Sequence, residues 1–384
     1  MPKFSITIKK VAIIRSMFVF LYAALTTTNP VYRLIYLHFR EGKIVSTNDI
    51  KEKSSLLYQL AMDLQYGRSF AGTSLNKAIK FYKKSAGLGN AEAQYALGQF
   101  YQYSAFKIDY AKALSFYKKA YNQGNASAAF SLYSMYYYGN GVKKDSKIAE
   151  KYLIISAQRG NSFAASQLAG RYFLDKNYLE SLRWNKVLAS KGDAEYLYKV
   201  GDFYEMGYGV QKNNDIAIKY YKQSALYGYT LAKEQLGKGY RYGWWGEPNI
   251  NLAIYWLTQA ARDEKSNTRW LLADIYKQGK GVPVNNELTK KWYLSSIKHC
   301  EDLRVNFYPL AEIFLEEKKY DLAYVYLYAY RAIDYTSYYR EDNARMMMTY
   351  LDKKIINKGK IKSLLQEKNN IIEKYKSCFS RRFF

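Results

Sequence analysis

The chain has 384 residues, 49% hydrophobic and 17% aromatic with only 5 prolines, which is enough apolar material for a folded body and excludes a disordered polymer. Its 59 Lys and Arg against 33 acids give a net charge of +26, suited to an acidic protein, anionic lipid or nucleic acid. With 2 cysteines and 2 histidines, neither a disulfide framework nor a histidine-rich metal centre is expected.

Lys3, Lys9, Lys10 and Arg15 precede an apolar run from Met17 to Leu25, closed by Thr26 to Asn29 and Pro30. Positive, apolar, polar is the order of a secretory signal peptide. Ala23-Ala24 offers small residues, but Tyr22 spoils the cleavage site, so an uncleaved anchor reaching back to Val11 competes. That span is marginal for a bilayer core that takes about 20 residues. Residues 1–30 therefore read as signal peptide or membrane anchor, and 31–54 as a leading segment. The basic start stays cytoplasmic and the rest is exported, either periplasmic or anchored in the inner membrane facing the periplasm. The alternative is a cytoplasmic chain with a greasy leading helix.

From residue 55 to 335 a short phrase recurs. Gly89-Asn90, Gly124-Asn125, Gly160-Asn161 and Gly192-Asp193, with Gly228-Tyr229 as a decayed copy, are spaced about 35 residues apart, a solenoid period. Each copy holds two short helices that cannot bury their apolar faces alone and must stack on their neighbours. In the copy starting at Ala91, Ala93, Ala96, Leu97 and Tyr101 share a face of the first helix, with Gly98 in that face. A helical Gly costs about 1 kcal/mol relative to Ala, so its return as Gly201 and Gly237 marks a place where two helices touch. Ala169, Ala273 and Ala311 fill the same slot and Tyr133 breaks the pattern.

The second helix of that copy carries Ala113, Phe116, Tyr117 and Ala120, matched by Ala78, Phe81, Tyr82 and Ser85 and by Ala217, Tyr220, Tyr221 and Ser224. Three copies share the loops Gly139-Asn140-Gly141-Val142, Gly207-Tyr208-Gly209-Val210 and Gly279-Lys280-Gly281-Val282. Paired glycines permit positive φ in a tight turn and the Val drops onto the core. No strand precedes them, so a phosphate cradle is not indicated.

Leu97-Gly98-x-x-Tyr101, Leu236-Gly237-x-x-Tyr240, the Gly-x-Gly-Val loops, the Trp256 and Trp292 helices and the Gly-Asn joints resemble the Sel-one-like repeat family, a subclass of tetratricopeptide-type α-solenoids. The resemblance implies an all-α, right-handed superhelical array of about eight helix-turn-helix repeats with C-terminal capping helices. It also implies a protein or peptide ligand in a concave groove.

On first helices, the residues two before, two after and five after the reference leucine form one stripe off the packing face. They are Tyr95, Gln99 and Gln102; Phe130, Ser134 and Tyr137; Ser166, Gly170 and Phe173; Tyr198, Asp202 and Glu205; Glu234, Lys238 and Arg241; Trp270, Asp274 and Lys277; Tyr308, Glu312 and Leu315. Aromatic rows interleaved with polar groups suit protein interfaces. The partner-binding set is Tyr95, Gln99, Phe130, Tyr137, Phe173, Tyr198, Asp202, Lys238, Arg241, Trp270, Asp274 and Tyr308. The lysine pairs Lys83-Lys84, Lys118-Lys119 and Lys143-Lys144 fall on second helices and a loop, away from that stripe.

Residues 336–384 read as basic capping helices. A Cys300–Cys378 bridge stays open, and His299-Cys300, adjacent on a helix end, point in different directions and do not form a nucleophilic pair. No catalytic, metal or cofactor site is expected. The resulting reading is a non-enzymatic binding module for a protein or peptide partner, an acidic one being compatible with the charge, and no nucleic acid. Its role is that of an immunity protein against an exported effector; an envelope or secretion scaffold, or a hydrolase of envelope polymers or β-lactams, are the alternatives. Membrane association would come through the N-terminal apolar segment.

Overall fold

The computed structural model describes residues 40–44, 46–67, 74–103, 108–301, 303–333 and 338–354, and residue 366. The signal-peptide and anchor readings, Cys378 and the basic tail after residue 354 lie outside the described residues.

Asn and Asp start the helices. The Asn125 side chain accepts from Ala128 N at 2.7 Å, Asn161 from Ala164 N at 2.9 Å and Asn90 from Ala93 N at 2.9 Å, each satisfying a backbone donor that a helix start leaves open. The glycine just before each cap is left-handed, with φ 90 at Gly124 and 95 at Gly160, and so ends the previous helix. One dipeptide closes one helix and opens the next. Tyr229, in the decayed copy, makes no side-chain cap bond.

The chain divides into two compact units, Met1–Lys176 and Asn177–Phe384. The first contains α1 (Ile50–Tyr66), α2 (Leu75–Gly87), α3 (Ala91–Tyr103), α4 (Tyr110–Asn122), α5 (Ala126–Tyr138), α6 (Ser146–Gln158) and α7 (Ser162–Leu174). The second contains α8 (Tyr178–Ala189), α9 (Ala194–Met206), α10 (Asn214–Leu226), α11 (Thr230–Tyr242), α12 (Ile250–Ala260), α13 (Arg269–Gln278), α14 (Asn286–Lys298), α15 (Leu303–Glu316), α16 (Tyr320–Ile333) and α17 (Tyr338–Lys354). Within each unit every helix packs on the one before and the one after it, most closely as the pairs α1/α2, α3/α4, α5/α6, α9/α10, α11/α12, α13/α14 and α15/α16. Among the described residues there is no strand. This is the all-α helix-pair repeat expected.

The small slot in the first helix is a contact point, as its recurrence suggests. A Cβ on Gly201 would meet the Tyr221 ring at 2.6 Å and one on Gly237 would meet the Leu257 side chain at 2.6 Å, while Gly98 lies against the Tyr117 ring. The slot fixes how closely the paired helices approach. Val142, Val210 and Val282 pack onto core clusters. The second glycine of each loop also permits a close approach. A Cβ on Gly209 would stand 2.7 Å from Leu179 N, and one on Gly281 would stand 2.7 Å from the Ile250 side chain, so each loop lies on the start of the preceding second helix.

Ser85, Ser156 and Ser224 do more than save space. Their hydroxyls donate to Ser54 O at 2.6 Å, Ala126 O at 2.8 Å and Ala194 O at 2.6 Å, tying each second helix to the N-terminal part of its own first helix. In α17, Ala344, Met348 and Leu351 pack into a cluster with Leu327 and Tyr330 of α16, so this helix covers the exposed end of the last pair as a cap.

Candidate partner-binding site

In the first unit the stripe residues lie on the first helices α3, α5 and α7. Gln99 is exposed, Tyr95 and Phe130 are half-buried, and Tyr137 and Phe173 are exposed at the helix ends. The Tyr95 ring lies 5.9 Å from Tyr117 and its hydroxyl reaches Ser131 and Ser127 on α5; burial raises its pKa above the ordinary phenol value. Gln102 is buried and accepts from the Tyr117 hydroxyl at 2.7 Å. Tyr95 thus serves the seam to the next copy and Gln102 the packing within its own copy.

Two grooves open on this side. One, of about 630 Å³, has Tyr58, Met62, Tyr66, Tyr95, Gln99 and Tyr103 among its walls. The other, of about 610 Å³, is bounded by Tyr133, Tyr137, Tyr138, Gln167, Arg171 and Leu174. Tyr95 and Gln99 line the first of these grooves and Tyr137 the second. Tyr133, the residue that breaks the small slot, is opposite Leu153 of α6 in the second groove, where other copies place Tyr117 or Tyr221.

In the second unit the charged part of the stripe is spent between copies. Arg241 of α11 pairs with Asp274 of α13 and also donates to Leu271 O at 3.3 Å, and Lys277 of α13 bonds Glu312 of α15 at 2.6 Å. Lys238 lies 3.8 Å from Glu234 on its own helix, and Glu234 accepts from Ser266 and Asn267 at 2.9 and 3.1 Å. The residue five after one reference leucine thus meets the residue two after the next. Arg241 and Asp274 answer each other between copies, which corrects the exposed-stripe expectation for these two, while Lys238 stays partly exposed on its helix.

Tyr308 is a core residue, 8% exposed and packed 5.5 Å from Tyr330, so it is no groove anchor. Tandem helices bury it because α16 lies over that face. Trp270 is half-buried and donates to Asn267 O at 3.1 Å, bracing the turn before α13.

Asp202 and Tyr198 belong to a polar knot. The Tyr221 hydroxyl lies 2.7 Å from both Asp202 and Glu205, while Glu205 also accepts from Trp245 Nε1 at 2.6 Å and Gln235 at 2.9 Å. One phenolic proton cannot serve two carboxylates at once. Burial, and then the charge of Glu205, push the Asp202 carboxyl up to about 6 against the lowering effect of the Tyr221 bond. Tyr198 packs beside it with its ring tilted, 5.3 Å from Tyr221 and 5.5 Å from Tyr229.

A second network was invisible in the sequence. Arg269 and Glu301, 2% and 1% exposed, pair at 2.7 Å. Arg269 also donates to the carbonyls of Ser266, Ala261 and Asp263, and Glu301 accepts from Ser296 and Trp270 N. Cys300, left-handed at φ 55, occupies the joint position that glycine holds elsewhere, with Glu301 in place of Asn. His299 caps α14, with Nδ1 2.8 Å from Ser295 O. Among the described residues no group of three His, Cys, Asp or Glu could hold a metal ion, and no helix is long and apolar enough to cross a membrane.

A Sel1 repeat model matches residues 54–90, 91–125, 127–161, 194–229, 230–264 and 269–299, more than half of the chain. The chain belongs to the Sel1 repeat family. This Sel1 repeat chain is similar to chitin synthase regulatory factor 3 of Schizosaccharomyces pombe, 30% identical over 172 residues, which is 40% of the chain and 18% of that protein. The chain spans less than half the length of the curated relatives it matches. Among solved structures, a protective antigen present in uropathogenic Escherichia coli strains and displaying an SLR fold superposes with TM-score 0.54 at 19% identity, over 92% of this chain and 94% of that one. A Sel1 repeat protein from Oxalobacter formigenes gives 0.51 at 18% identity, over 87% and 92%. At these identities the likeness concerns the fold alone.

Proposed function

We propose that this Sel1 repeat chain is a non-enzymatic binding protein that docks a protein or peptide partner on the first-helix side of its repeats. The observation that carries this reading is the pair of aromatic-walled grooves of about 630 and 610 Å³ between successive first helices, holding Tyr95, Gln99 and Tyr137. Concave, largely apolar sites with a few polar groups are where ligands bind. Repeat arrays of this class present such surfaces in series. A photo-crosslinking amino acid at Gln99 should capture a partner from cells while the same group at Lys83, on α2, should not. Equal capture from both positions, or capture from 83 alone, overturns the reading.

The narrower role is neutralisation of an exported antibacterial effector from an envelope location. It is motivated by a net charge of +26, suited to steering toward an acidic partner, and by the order of charges and apolar residues over Lys3 to Pro30. A deletion strain that survives unchanged beside toxin-armed siblings refutes the immunity role. Intact mass of the mature protein separates a cleaved leader from a retained anchor.

A further inference from the structure

The two grooves of the first unit differ in one kind of group. The second, with Tyr133, Tyr137 and Tyr138 in its walls, also holds Asp175 and the pair Glu150 and Arg171, 3.3 Å apart. The Arg171 charge reaches the Tyr133 phenol, where it opposes the burial that raises that group's pKa. This groove therefore supplies its own cation among tyrosines. A guanidinium near aromatic rings and a carboxylate is held by the ring quadrupole and by the opposite charge.

The first groove has the rings and an acid without the base. Tyr58 and Tyr66 of α1, Tyr82 of α2, and Tyr95, Phe100 and Tyr103 of α3 stand in its walls, and among the described residues its one charged group is Glu92, in the first turn of α3. Burial and then the Glu92 charge hold the Tyr58 phenol above its ordinary pKa, and at Tyr95 burial does so with Tyr103 and Glu92 adding to it, so the carboxylate acts on two of the ring walls. Glu92 accepts from the Asn125 amide at 2.8 Å, a neutral donor that leaves the charge in place, and no Lys or Arg among the described residues pairs with it. The other charges of α1 and α2 lie elsewhere. Glu52 pairs with Lys43 at 3.5 Å and Asp63 with Arg40 at 4.0 Å, while Lys77, Lys80 and Lys84 share a separate pocket of about 400 Å³ with Glu41, and Lys51, Lys53 and Lys83 are in neither wall. On a chain of net charge +26 the groove is thus a local negative site, unsuited to an anion and suited to a cation on an apolar stem.

We propose, resting on the function above, that the first groove takes a cationic side chain, arginine or lysine, from the docked protein partner, with its charge beside Glu92 and its methylenes along Tyr58 and Tyr95. The partner then provides there what Arg171 provides in the second groove. A partner that is acidic overall still carries such residues: the net charge steers its approach at long range, and the groove selects the side chain at contact.

The test uses the full chain with the photo-crosslinking amino acid at Gln99, which lines the groove, and short, otherwise uncharged peptides with arginine, its neutral isostere citrulline, or glutamate at the centre. Capture is titrated against peptide concentration. Half-maximal capture should need about fivefold less arginine peptide than citrulline peptide, and the glutamate peptide should bind weakest, the reverse of what the net charge alone would give. Glu92→Gln keeps an oxygen for the Asn125 amide and should melt close to the parent, yet it should bring the arginine and citrulline peptides to within about twofold of each other. Equal capture of arginine and citrulline by the parent, strongest capture of glutamate, or an arginine preference that survives in Glu92→Gln each overturns the proposal. If the peptides fail in this way while position 99 still captures a partner from cells, the docking function stands without it.

Discussion

In the first unit, α3 meets neutral or singly charged groups: at the start of the next copy the Asn125 amide donates to Glu92 at 2.8 Å, and at the end of its own copy Gln123 donates to Gln94 at 2.7 Å. In the second unit the corresponding seams carry opposed charges, with Arg241 on Asp274, Lys277 on Glu312 and the enclosed Arg269 on Glu301. The helices and their spacing are the same. The backbone repeat sets where copies touch and leaves the chemistry of the touch free, so a first-helix face can be sparsely charged in one unit and internally neutralised in the other. The sparsely charged face is the one proposed above to dock a partner.

Breaking the strongest seam gives the largest effect. Glu301→Ala leaves Arg269 charged, enclosed and unpaired, and should cost the second unit about 3–5 kcal/mol, seen as an early unfolding transition in urea. Filling the shared small slot should hurt both units alike: Gly98→Ala and Gly201→Ala each press a methyl into a tyrosine ring, for about 1–3 kcal/mol.

The third test is specific to the second unit. Asp202, facing Glu205, Tyr198 and Tyr221 with Lys199 nearby, has a folded pKa of about 6, above its unfolded 3.8. Its contribution is fully present below about pH 4 and is lost as pH rises through about 6. Discounted for partial exposure, the swing is on the order of 1–2 kcal/mol. Asp202→Asn should flatten that part of the stability–pH curve. The smallest effect belongs to the neutral seam: Glu92→Ala, removing a half-exposed bond, should cost about 0.5–1 kcal/mol.

The joints, the small slot and the glycine loops were legible because each depends on a residue type with a restricted use: a left-handed glycine, a capping Asn, an absent Cβ. The stripe was legible only in part. Helical periodicity says that Arg241, Asp274 and Lys277 lie off their own packing face, but it does not say that the next copy meets that face. Tyr308 went under for the same reason. The serine bonds of Ser85, Ser156 and Ser224 looked like a mere preference for small residues. Lys176, Cys300 and Lys318 adopt φ values of 56, 55 and 57 at turns where nothing in their side chains announces a left-handed residue.

The Gly-Asn joint makes the chain divisible. Because the glycine finishes one copy and the asparagine begins another, removing Asn125 to Gly160 brings Gly124 directly against Asn161 and rebuilds an intact stop-and-start signal. A shortened protein lacking that copy should keep its remaining copies folded, so a gene of this kind can gain or lose length by recombination between joints without inventing a new connection.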